Sequence, residues 1–184
     1  MQIEDEKEAA EVAYVDGYRQ LTDEDIDIFS EVLATNGYDF FECEWVTTAP
    51  GASPVIGFII PGLPTTRAFQ APDVADEHTY DIVITFPREW PDRDPQGWIE
   101  PWAGEPPARL GHNNHVYGDG SICVHDAEFA RDPSVRDRWT PVVGVRMLRC
   151  WLELDEDNRY DGRAWPSSDV PEDVVRRVEW LEAT

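Results

Sequence analysis

The chain has 184 residues, of which 38 are Asp or Glu and 15 are Lys or Arg, for a formal net charge of −23. A field of that sign repels polyanions, and no basic patch inverts it locally, so the composition argues against a nucleic-acid partner. With 41% hydrophobic residues and 8 Trp the chain is not a disordered acidic polypeptide, and its length predicts one domain that buries roughly 70% of its unfolded surface.

Residues 1–17 are rich in Glu, Asp and Ala, with no apolar periodicity before Tyr14. They read as a flexible acidic tail on a single domain spanning 18–184. The first residues hold no basic segment followed by an apolar run, and no stretch is long and apolar enough to span a bilayer. The expectation is a cytoplasmic protein with no membrane partner. The first helix follows: Thr22 is its N-cap, with Asp25 in the capping-box position. Ile26, Phe29, Val32 and Leu33 fall at helical spacing, and Asn36-Gly37 ends it. Phe40–Thr48 and Val55–Gly62 read as two antiparallel strands, His78–Pro87 as a third, and Trp98-Ile99 as a short fourth held between prolines. Residues 103–138 carry three of the four histidines and few apolar runs, so they read as a loop positioned by the sheet. Val142–Leu154 is a helix with Val142, Val145, Leu148, Trp151 and Leu152 on one face, and the segment through Ser168 is a loop. A short amphipathic helix closes the chain, beginning after Ser168 or Asp169 with Pro171 near its first turn. The fold class is α+β: an N-terminal helix, a four-stranded antiparallel meander, an active-site loop and C-terminal helices.

Lys7 is the only lysine. Acidic and lysine-poor composition resembles that of extreme halophiles, where high salt screens like-charge repulsion, and a halophilic cytoplasm is the expectation. Cys43, Cys123 and Cys150 are too few and odd in number for a disulfide scaffold and are read as thiols.

The chemistry concentrates in Gly111–Asp126, GHNNHVYGDGSICVHD. Cys123 sits just after a glycine-rich turn, with polar side chains about eight residues upstream. A nucleophilic thiol needs partial exposure and donors aimed at the oxyanion formed when a thioester is attacked, and a turn folding His115 back toward Cys123 supplies both. HVYGDGSICV resembles the active-site stretch of ubiquitin-conjugating enzymes, in which an HPN triplet precedes VY, a turn with glycine, and the catalytic cysteine. Tyr80–Pro95, YDIVITFPREWPDRDP, resembles that family's third strand and Pro-rich loop, and Arg138-Trp139-Thr140-Pro141 its W-x-P element before a helix. The order of elements agrees over roughly residues 20–154.

The resemblance implies that Cys123 accepts a ubiquitin-like protein, or another protein C-terminus, as a thioester and passes it to a target amine. Asp126 is then placed to orient or deprotonate the incoming lysine. At the HPN positions stand Asn113, Asn114 and His115, so a histidine replaces the family's asparagine. An imidazole can hydrogen-bond an oxyanion and, unlike an amide, act as a base near neutral pH. The substitution is similar to that of the prokaryotic branch, as is the longer stretch between Cys123 and Trp139. The candidate catalytic set is therefore Cys123, His115, Asn113 and Asp126, with no cofactor and no metal. The implied partners are an activating enzyme, a ubiquitin-like modifier and a target protein, in an operon that includes a deconjugating metalloprotease and belongs to an antiphage defence system. In some such systems the conjugated protein is a nucleotidyltransferase instead. The rival readings are an inactive scaffold of the same fold, which the missing asparagine favours and Cys123 opposes, and a zinc site built from His112, His115, Cys123 and His125, whose spacing is not a common structural one. Cys43 and Cys150 are read as packing residues, His78 as exposed, Trp90, Trp98, Trp102 and Trp139 as packing aromatics, and the acids of 153–157 as solvated surface.

Overall fold

The computed structural model describes residues 14–15, 18–45, 54–90, 93–100, 109–124, 139–167 and 169–184, with 14–15, 18–19 and His112 described by backbone alone. Two two-residue strands, β1 (Tyr14–Val15) and β2 (Tyr18–Arg19), pair antiparallel, so the expected tail ends in a hairpin instead of running free through residue 17. The rest of that tail lies outside the described residues.

Helix α1 (Asp23–Thr35) begins at the predicted capping box. The Thr22 hydroxyl accepts from the Asp25 amide at 3.2 Å, and the Asp25 carboxylate accepts from the Thr22 amide at 2.9 Å. Ile26, Phe29 and Leu33 are its buried stripe, Val32 flanks it half-buried, and Asn36 caps its C-terminus before Gly37 turns left-handed. Strands β3 (Phe41–Glu42), β4 (Val55–Pro64) and β5 (Thr79–Pro87) form the expected meander. β3 is short: Cys43, Glu44 and Trp45 are not strand, and residues 46–48 lie outside the described residues. Strict alternation on β5 buries Tyr80, Ile82, Ile84 and Phe86, as period-two geometry requires. The β4–β5 register shifts between Ile60 and Leu63, where the Gly62 amide donates to the Asp81 carboxylate at 2.8 Å. Between β4 and β5 run α2 (Thr66–Gln70) and a 3₁₀ segment (Pro72–His78), neither signalled by a long apolar run.

The sheet has five strands, not four, in the order β3-β4-β5-β6-β7. β6 (Gln96–Ile99) is the predicted fourth; the fifth, β7 (Ile122–Cys123), lies inside the segment expected to be loop. Two residues between turn formers carry no readable alternation, and only pairing with β6 makes them strand. The core lies on one sheet face, where Phe58, Phe86 and Trp90 meet Phe29 of α1, and Ile84 and Ile99 join Val145, Leu148 and Leu152 in the same cluster.

Those last three belong to α3 (Pro141–Asp161), 21 residues and about 31 Å long. It continues seven residues beyond the predicted end and stops where Gly162 takes the left-handed C-cap conformation, φ 68°. Its extension overturns the reading of 153–157 as solvated surface: Glu153, Asp155, Glu156 and Asp157 are all buried. Carboxylates survive burial only when paired and hydrogen-bonded, and here arginines converge on them. Asp155 takes the Arg109 guanidinium through both nitrogens and Arg159 Nε at 2.9 Å; Asp157 takes Arg163 at 3.0 Å and Arg177 at 2.9 and 2.7 Å; Glu153 takes Arg177 at 2.8 Å. Glu153 also accepts the Thr66 amide and hydroxyl at 2.6 and 2.7 Å, capping α2 from a distant helix. Glu156 accepts Thr65 Oγ1 at 2.6 Å and the Tyr80 phenol at 2.8 Å and lies 2.9 Å from His78 Nδ1. His78 is thus buried, contrary to its expected exposure, because the 3₁₀ segment carries it under α3.

Helix α4 (Glu172–Glu182) starts after Pro171, which is its N-cap, and lays Val174 and Val178 against Cys150 and Leu154. Cys150 is the packing residue expected; burial pushes its thiol up to about 11. Trp90 and Trp139 are buried and in mutual contact, ring centroids 5.3 Å apart, whereas Trp102 lies outside the described residues. Among the described residues no helix is long and apolar enough to cross a membrane.

Candidate active site

The sequence between Leu110 and Val124 folds as a hairpin fastened at three points. A 3₁₀ turn (His112–Asn114) forms as the Asn114 and Val116 amides donate to the Gly111 carbonyl at 2.8 and 3.1 Å. The Asn114 carbonyl accepts the Trp151 indole of α3 at 2.7 Å, which pins the turn to the helix that covers the sheet. Beyond it, Val116 bridges Ile122, and the Tyr117 amide donates to the Ser121 carbonyl at 2.8 Å. The tip closes because Gly120 adopts φ 85° and the Asp119 carboxylate accepts both the amide and the hydroxyl of Ser121, at 2.9 and 2.7 Å.

This hairpin turns an eight-residue separation into a cross-strand pair: the Cys123 amide donates to the His115 carbonyl at 3.2 Å. Cys123 is half-buried at the end of β7, paired with Gln96 on the other side. Its neighbour Val124 is fixed by the Trp139 indole, which donates to the Val124 carbonyl at 3.2 Å, so the tryptophan of the W-x-P element anchors the cysteine strand directly. Gly97, opposite Ile122, is required for that closeness. A Cβ there would lie 2.6 Å from Val124 Cγ1 and 2.8 Å from Leu148 Cδ2.

His115 has φ 60°, a left-handed backbone uncommon outside glycine and asparagine-like residues, and its side chain is exposed. Asn113 is exposed two residues earlier, and Asn114 is half-buried. The side chain that reaches the sulfur stands outside the candidate catalytic set of the sequence: the Tyr117 phenol is hydrogen-bonded with Cys123. Burial raises the phenol above its ordinary range, reinforced by the charge and hydrogen bond of Cys123 and by the carboxylates of Asp94 and Asp119. At neutral pH it therefore keeps its proton and donates.

Asp94 acts by its charge from the β5–β6 connection, an effect that no local spacing reveals. The turn is accordingly more acidic than its own sequence implies. Asp126 lies outside the described residues, as do His125 and the side chain of His112, so the carboxylate expected downstream of the cysteine and two of the four weighed zinc ligands are not placed. Among the described residues no group of three or more His, Cys, Asp and Glu is gathered as a metal site.

The second polar constellation, Glu156 with His78, Tyr80 and Thr65, has titratable groups at hydrogen-bond distance, but the Glu156 and His78 side chains are 1% and 8% exposed. That closure makes it a structural network, whereas Cys123 is half-buried and partly open to solvent. No family model, curated protein or solved structure matches the chain.

Proposed function

We propose that the protein is a thioester-forming acyl carrier and transferase of the ubiquitin-conjugating kind, with Cys123 as nucleophile. The observation that carries this reading is the hairpin that sets a half-buried cysteine against His115 and holds the Tyr117 phenol on its sulfur. A donor placed on sulfur favours the thiolate, the nucleophilic form. The thiolate attacks the carbonyl carbon of a thioester that joins a modifier's C-terminus to an activating enzyme. A new C–S bond forms at Cys123, and the activating enzyme's thiolate leaves. In the second transfer an amine attacks the Cys123 thioester, the amide C–N bond forms, the C–S bond breaks, and the Cys123 thiolate departs as the amine gives up its proton. Tyr117 is oriented to hydrogen-bond that departing sulfur. The carboxylates of Asp94 and Asp119 give the entrance a negative field that attracts an ammonium side chain. His115, exposed beside the cysteine, supplies an imidazole to the oxyanion or to the amine proton, and Asp126 follows the nucleophile closely enough in sequence to serve the same amine.

In this reading the partners are an activating enzyme, a ubiquitin-like modifier or a nucleotidyltransferase whose C-terminus is conjugated, and a target protein, within a prokaryotic antiphage system. Incubation with ATP, activating enzyme and modifier is expected to give an adduct released by dithiothreitol and absent from Cys123→Ala. An adduct that persists in Cys123→Ala refutes the assignment. His115→Ala separates a transferase from a scaffold: transfer falls in the former, and all function survives in the latter.

A further inference from the structure

A cavity of about 460 Å³ opens between the C-terminal end of α1, the irregular stretch of β4, α3 and α4, a size typical of small-molecule sites. None of its lining residues belongs to the cysteine hairpin. Its walls combine apolar side chains, Ile60, Leu63 and Val142, with the polar groups of Tyr38, Arg146 and Arg149.

Arg149 is 7% exposed, and its Nε and Nη1 have no hydrogen-bond acceptor. Its guanidinium lies over the Tyr38 ring, 5.9 Å from the centroid. Arg109, Arg159, Arg163 and Arg177 all reach carboxylates, and no carboxylate among the described residues pairs with Arg149. The Tyr38 side chain is hydrogen-bonded with Arg149, which leaves Nε and Nη1 as the buried donors without an acceptor, and donors so placed are expensive because nothing replaces the water they have lost. One candidate acceptor in the cavity wall, Glu182, is already occupied: Arg146 holds it through Nε at 3.0 Å and Nη2 at 2.7 Å. Asp39 lines the cavity from an exposed position. The Tyr38 phenol, raised above its ordinary range by burial, stays protonated and adds a donor. Donors therefore converge on a partly apolar cavity whose own carboxylates leave Arg149 Nε and Nη1 unmatched. The two guanidinia disfavour a metal cation, and a purely apolar ligand would leave Arg149 as it is.

We propose that this cavity binds a small amphipathic oxyanion, a carboxylate or phosphate bearing a short apolar group, with the anionic oxygens on the Arg149 fork and the apolar body against Ile60, Leu63 and Val142. A planar guanidinium matches two oxygens of one such group at once.

The test titrates the intact protein with hexanoate and, separately, with inorganic phosphate, by calorimetry and by the ¹H–¹⁵N resonances of arginine side chains, with Arg149 assigned through Arg149→Lys. Hexanoate is expected to saturate and to shift the Arg149 Nε–H signal, with phosphate binding more weakly for want of an apolar body. Arg149→Met is expected to weaken hexanoate about tenfold or more, the loss of a charged hydrogen-bonded pair. Val142→Phe narrows the cavity without altering charge and is expected to weaken it too. Should Arg149→Met fail to fold, the wild-type resonances and Val142→Phe decide. Absence of saturation with both probes overturns the proposal, as does hexanoate binding unchanged in a folded Arg149→Met. Phosphate binding as tightly as hexanoate refutes the amphipathic ligand.

Discussion

Replacing Glu156 with alanine removes the acceptor on which four segments of chain meet. Its side chain is 1% exposed, takes the Thr65 hydroxyl at 2.6 Å and the Tyr80 phenol at 2.8 Å, lies 2.9 Å from His78 Nδ1, and has the Arg67 and Arg159 guanidinia at 3.9 Å. Alanine leaves each of those donors without this partner, together with a void the size of the lost carboxylate arm. Counted singly, three hydrogen bonds to a charged acceptor at about 1.5–3 kcal/mol overstate the loss, because such groups are not additive. Breaking a buried charged pair by deleting one side removes about 3–5 kcal/mol, a large share of a domain stability of about 5–15 kcal/mol. For a domain of this length that corresponds to a melting temperature lower by roughly 6–20 °C. The assay is equilibrium urea unfolding followed by tryptophan fluorescence, with the slope compared between variants to verify that the denatured state has not changed. Glu156→Gln, which keeps the shape and one acceptor oxygen, is expected to lose less than Glu156→Ala. A loss below about 1 kcal/mol for Glu156→Ala, the scale of an ordinary surface change, refutes the view that this network holds α3 to α2 and the sheet.

Gly97→Ala drives a methyl to within 2.6 Å of Val124. Overpacking of about 1–3 kcal/mol is expected in urea unfolding, with a slower Cys123 thioester step, while Gly111→Ala, with nothing within 4 Å, is nearly neutral. Asp157 gives an acid-sensitivity prediction: burial raises its carboxyl, but Arg177 and Arg163 overcome this and hold it below the usual range. A depressed folded pKa contributes stability above the unfolded value of about 4 that is lost as pH falls through the folded one. Asp173, held by Arg163 at about 2, marks the lower end of the window. Unfolding measured from pH 6 downward should therefore show stability dropping between about pH 4 and about pH 2, and Arg177→Met should flatten that drop. Tyr117→Phe removes the donor on the Cys123 sulfur. Alkylation of Cys123 by iodoacetamide at neutral pH is expected to slow about fivefold or more, with the unfolding midpoint unchanged, and an equal rate would remove Tyr117 from the site.

The elements legible in the sequence were those whose signal is local. The Thr22–Asp25 capping box and the Ile26, Phe29, Leu33 stripe define α1, and alternation from Tyr80 to Phe86 defines β5. The cysteine hairpin was legible as a turn, because Gly120 and Asp119 are its chemistry. What escaped was set by distant parts of the chain. β7 exists only through β6, and the charge of Asp94 reaches Tyr117 from the sheet connection. The C-terminal half of α3 was misread because acids were taken as a sign of water. A subtler pattern was present: Asp155 and Arg159 stand four residues apart, and no breaker follows them before Gly162. That pair marks continued helix, although only Arg67, Arg109 and Arg163, arriving from elsewhere in the chain, show that its surroundings are protein.

The ring of arginines around α3 alters what the solution meets. Arg67, Arg109, Arg159, Arg163 and Arg177 are tied to Glu153, Asp155, Glu156, Asp157, Asp161 and Asp173, which leaves thirty-two acids facing ten cations in the rest of the chain. The ratio of acid to base in that remainder is higher than in the whole sequence, and wherever those charges meet solvent their neutralising partner is the counterion cloud of the medium. The pairs on Glu153, Asp155, Glu156 and Asp157 are buried and shielded from that cloud, whereas those on Asp161 and Asp173 stand at the surface. Two populations of carboxylate consequently share one molecule: an outer coat whose comfort is set by ionic strength, and an inner lattice whose cohesion is supplied by the protein itself.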